Sequence, residues 1–79
     1  MDSKLKLIEI FKNTFQELEA KSDSEISSIT KGDLISWDSG SHLILMTCIE
    51  EDFEIQIEDE SIVQINSFND AYRVVEATL

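Results

Sequence analysis

Only one segment of this chain alternates with the period of a β-strand. Phe53, Ile55 and Ile57 occupy every second position, with Glu54 and Gln56 between them, and no second segment of similar quality is present to pair with it. A lone strand leaves its backbone N–H and C=O groups without partners. The segment therefore reads as an extended connection that buries its three apolar side chains, and helices must organise the rest.

Ile8, Phe11, Phe15 and Leu18 recur at helical spacing and form one stripe of an amphipathic helix. Asp2 or Ser3 can cap its start, which predicts a first helix over residues 3–18. Glu19 to Gly32 is rich in Ser, Asp and Lys, with Ile26 and Ile29 as its large apolar residues. It reads as a long loop that these two isoleucines pin to the core. A second helix is predicted over Ser39–Asp52, with Ser39 as its cap and Asp38 just outside the first turn. Its middle, Leu43 to Ile49, is apolar nearly all round. Such a helix is either buried on most sides or keeps an apolar strip for a partner. A short helical turn at 60–64 follows. Ser67, with Asp70 three positions on, then marks the start of a last helix whose core face is Ala71, Val74 and Val75. The predicted fold is all-α: a small antiparallel four-helix bundle with a long loop between its first two helices and a short third helix. Its expected core stripe is Phe11, Phe15, Leu45, Ile49, Phe53, Ile65 and Val74.

At 79 residues the chain has room for one domain, and it buries only roughly 60–65% of the surface its unfolded form exposes. The formal net charge is −11. Binding nucleic acid through phosphates needs the opposite sign, and an anionic membrane surface is disfavoured for the same reason. The charge is also segregated. Five lysines nearly balance six acids in residues 1–31, whereas Arg73 alone faces eleven acids in residues 32–79. That acidic half suits basic patches on other proteins. The single cysteine, Cys48, has no internal disulfide partner, and the single histidine, His42, has no second histidine to share a metal or a catalytic relay. No apolar run approaches a membrane span and no signal-type segment opens the chain. A monomer in the cytoplasm is expected.

Asp38-Ser39, followed by Leu43, Leu45, Ile49, Glu50-Glu51-Asp52-Phe53, Ile55 and Ile57, resembles the acyl carrier proteins. Their hallmark is Asp-Ser-Leu at the start of the second helix. Asp59-Glu60, Ile65, Phe68 and Ala71 extend the likeness downstream, so it covers nearly the whole chain. The resemblance implies a carrier without catalytic activity of its own. Ser39 would receive a 4'-phosphopantetheine arm from coenzyme A through a phosphopantetheinyl transferase, and Asp38 would assist that modification. The arm's thiol would hold acyl or aminoacyl groups as thioesters and deliver them to acyl-loading and acyl-processing enzymes with basic docking patches. The docking residues implied are Gly40, Leu43, Ile44, Thr47, Glu50 and Glu51. A specialised stand-alone carrier is expected rather than a housekeeping one.

Two departures stand out. Gly40 replaces the usual leucine after the serine, and Ile44 replaces a common acidic residue. The other reading of the same residues is an unmodified acidic module that docks partners without cargo, and Gly40 keeps it open. Ser41 is a rival nucleophile two positions from Ser39. His42 reads as a surface or packing residue, Trp37 as a cover over the core or a border of the docking surface, and Cys48 as a small buried hydrophobe.

Overall fold

The computed structural model describes residues 2–78. Among them the fold is all-α, with no strand. In chain order the helices are α1 (Ser3–Thr14), α2 (Asp23–Ser27), α3 (Ser39–Phe53), α4 (Asp59–Gln64) and α5 (Phe68–Thr78). Two 3₁₀ turns, Gln16–Leu18 and Lys31–Asp33, complete the set. Four helices were expected; the fifth is α2, which lies inside the segment predicted as loop.

Asp2 caps α1 by accepting a hydrogen bond from the Lys4 N–H. The helix ends at Thr14 rather than at residue 18, because Phe15 turns extended (φ −119°, ψ 105°). The 3₁₀ turn then restores the inward direction, so Phe15 and Leu18 are both fully buried despite the break. α1 packs against α2, α3 and α5. The Phe11 ring lies 6.1 Å from Phe15, 5.6 Å from Trp37 and 5.0 Å from Phe68, centroid to centroid. Tilted and edge-on aromatic pairs of this kind contribute about 0.5–1.5 kcal/mol each beyond their burial.

The connection from α1 to α3 is built rather than loose. Ser22 and Glu25 form a capping box that starts α2: the Glu25 N–H donates to Ser22 Oγ, and the Ser22 N–H donates to the Glu25 carboxylate. Ile26 and Ile29 are buried, as expected for anchors. An ion pair of 3.3 Å between Lys12 and Asp23 ties α2 to α1. Further on, Thr30 and Ser67 form an isolated antiparallel bridge. There Lys31 N–H donates to the Asn66 carbonyl and Phe68 N–H to the Ile29 carbonyl, which sews this connection to the start of α5.

α3 stops where Glu54 adopts the left-handed conformation (φ 55°, ψ 47°). The Ile55 N–H then reaches back to the Glu50 carbonyl, closing the helix end. Residues 55–58 run extended with no strand partner, and Ile57 is buried while Phe53 and Ile55 are half-buried. α4 begins one residue earlier than predicted. Ser67 caps α5 as expected, accepting from the Asp70 N–H, and the Asp70 carboxylate accepts from the Asn66 N–H. On α5 the buried residues are Phe68, Ala71 and Val75, with Val74 only half-buried. No described helix is long and apolar enough to cross a membrane.

Candidate functional site

The site is the N-terminal half of α3 and the segment leading into it. Asp38, not Ser39, is the N-cap. Its carboxylate accepts from the Ser41 N–H at 3.0 Å, while the Asp38 N–H donates to Ser41 Oγ at 2.9 Å. The sequence expectation of a Ser39 cap is thus corrected. Aspartate at the cap keeps a negative charge at the positive helix end and satisfies the third backbone donor, which frees the next residue. The Ser41 N–H, the largest influence, holds the Asp38 carboxyl below the ordinary carboxylate range.

The two neighbouring serines differ sharply. Ser41 Oγ accepts from Asp38 and donates to the Ser36 carbonyl at 2.6 Å, so its proton and a lone pair are both committed. Ser39 is the first helical residue, is exposed, and its hydroxyl makes no hydrogen bond among the described residues. The backbone N–H groups of Ser39 and Gly40 are among the donors that have no partner within a helix at its N-terminus. Gly40 is not required by the backbone. Its φ is not positive, and a Cβ there would meet only Asp38 Oδ1, at an ordinary 3.6 Å.

Gly40, Leu43, Ile44, Thr47 and Glu51 recur at helical spacing along one side of α3, and all five are exposed. Leu43 and Ile44 are each 60% exposed. Thr47 turns its hydroxyl back onto the Leu43 carbonyl. Glu50 differs from the rest of the expected docking set. It is half-buried, and one carboxylate oxygen accepts from the Ile57 N–H at 2.8 Å, so it fastens the 55–58 connection to α3. Ile35, just upstream of the site, is 98% exposed. Cys48 is half-buried and packs against the core.

The other side of the helix holds what the sequence could not locate. Trp37 is buried against Phe11 and Phe15, so of its two expected roles it takes that of a cover over the core. Its indole N–H donates to His42 Nδ1 at 2.9 Å, and His42 Nε2 lies 2.7 Å from the Ile62 carbonyl oxygen. His42 therefore joins the entry segment, α3 and α4 in one buried chain of hydrogen bonds. Ile62 is twenty positions away, so no local pattern could have identified it as the partner.

The chain matches no protein-family model, no curated protein and no solved structure with which it was compared.

Proposed function

We propose that the protein is an acyl carrier whose 4'-phosphopantetheine arm is attached at Ser39. On this reading α1, α3, α4 and α5 are the four helices of a carrier-type bundle, and α2 is a short insertion stiffening the first connection. The observation that carries the reading is the contrast between an exposed, unbonded Ser39 hydroxyl and a Ser41 hydroxyl locked into the cap. A phosphodiester on Ser39 would lie beside unpaired N–H groups and the positive end of α3, a favourable contact of about 0.3–1 kcal/mol when exposed. The residues present fit the group in that respect. The arm supplies a thiol for thioester formation; the chain supplies its placement. Asp38 shapes the helix end that presents Ser39 and is open to the modifying enzyme.

Docking on this reading uses Leu43, Ile44 and Thr47 as the apolar strip, with Gly40 and Glu51 at its two ends. Basic groups on partner enzymes would meet the surrounding acids through exposed ion pairs, each worth roughly 0–1 kcal/mol. Contacts that weak release a carrier between steps, and they weaken further as salt rises. Glu50 contributes less to docking than Glu51, because one of its oxygens is already in use.

The test is intact-protein mass spectrometry after incubation with coenzyme A, magnesium and a broad-specificity phosphopantetheinyl transferase, with Ser39→Ala and Ser41→Ala alongside. The expected result is a gain of one phosphopantetheine that only Ser39→Ala abolishes. No gain on folded protein with several transferases would favour the unmodified docking module instead.

A further inference from the structure

His42 is the one buried polar side chain among the described residues, and the carrier reading gives it no task. Its partners fix its state. An indole N–H can only donate, so Nδ1 must accept; a backbone carbonyl can only accept, so Nε2 must carry the proton. The ring is thus a neutral imidazole protonated on Nε2. A second proton would have to go on Nδ1, pointing at the Trp37 N–H 2.9 Å away, donor against donor. The bond to the Ile62 carbonyl would survive, because Nε2 donates in either charge state. Protonation therefore breaks one side of the chain only, the side that holds the entry segment.

Among the described residues no carboxylate bonds or pairs with the ring to offset such a charge. On its own helix, Asp38 is engaged by Ser41. Beside Trp37 in the chain, Ser36 donates its hydroxyl to Glu17, and on α1 Lys12 is paired with Asp23. Glu58, Asp59 and Glu60 at the start of α4 are exposed. None of these groups bonds or pairs with His42.

We infer that His42 is a positioning residue: as a neutral imidazole it locks Trp37 and the segment presenting Ser39 to α4, and its protonation frees the Trp37 indole N–H from the ring. The inference stands whether or not Ser39 carries an arm. Trp37 is the only tryptophan of the chain, so its fluorescence reports the event directly. As acid is added, the Trp37 indole N–H signal and the Trp37 emission should change along the same single-proton curve that nitrogen NMR reads at the His42 ring. His42→Gln keeps a donor and an acceptor but cannot become charged, and its emission should stay constant. A wild-type emission maximum that does not move, or a transition that persists in His42→Gln, overturns the inference. Nitrogen NMR of the wild-type ring gives a second readout that does not depend on the variant folding. The proton should sit on Nε2 alone before that change and on both nitrogens after it. A neutral ring carrying its proton on Nδ1, or an emission change while the ring stays neutral, also overturns it.

Discussion

α3 is the more apolar of the two longest helices, yet α1 is the better buried. α1 lies among α2, α3 and α5, and its Leu7, Ile8, Ile10 and Phe11 are all removed from solvent. α3 sends His42, Leu45, Met46 and Ile49 inward but leaves Leu43 and Ile44 largely in water. The difference is one of neighbours, not of composition. A chain this small cannot surround two helices, so aliphatic residues beyond what one face can bury end up exposed. On α3 that surplus flanks Ser39.

Truncations should show this contrast most strongly. Phe11→Ala removes the ring shared by Phe15, Trp37 and Phe68, and should cost about 3–5 kcal/mol in urea denaturation. Ile44→Ala should stay within about 0.5 kcal/mol of wild type. A loss at Ile44 as large as that at Phe11 would mean that the outer face of α3 is covered after all.

The backbone of α3 gives smaller effects of the opposite sign. Gly40→Ala adds a Cβ in ordinary contact with Asp38 Oδ1 in the first turn and should stabilise the protein by up to about 1 kcal/mol. Glu54→Gly relieves a left-handed residue at the helix end and should add about 0.5–1 kcal/mol. If Gly40→Ala destabilised instead, the glycine would be needed by the fold, and its place beside Ser39 would require a different explanation.

The smallest expected effect is the charge at the cap. The Asp38 carboxyl is held below its ordinary value in the folded protein. Its contribution is therefore complete above the unfolded carboxyl's titration, near pH 3.8, and is lost as pH falls through the lower folded value. Asp38→Asn keeps an acceptor at the cap without the charge. The stability difference between wild type and Asp38→Asn, followed by thermal melts, should narrow on acidification across that window. A difference independent of pH would show that only the acceptor matters.

The elements announced by their own local residues were the ones the sequence revealed. Ser67 and Asp70 marked the start of α5, and Ile8 with Phe11 marked the inner face of α1. The end of α1 stayed hidden because a 3₁₀ turn also places residues 15 and 18 on one side, so the stripe continues through a break in the helix. α2 was legible and missed. Ser22 and Glu25 stand in capping-box register, but the polar composition around them outweighed that signal. At the site, Ser39 and the strip beside it came, as expectations, from the resemblance to acyl carrier proteins. The Asp38 cap, the Glu50 fastening and the His42 connection did not, because each depends on which of several polar neighbours the folded chain selects.

The placement of α1 at the centre has a consequence for the order in which the chain can fold. Ser3 and Glu76 are joined by a hydrogen bond across 73 positions, and Phe68 of α5 supplies one wall of the Phe11 cluster. During synthesis the stripe on α1 leaves the ribosome well before either of those partners exists. It stays wet, or is held by something else, until residues 68–78 emerge. α1 is fully enclosed only once α5 is in place.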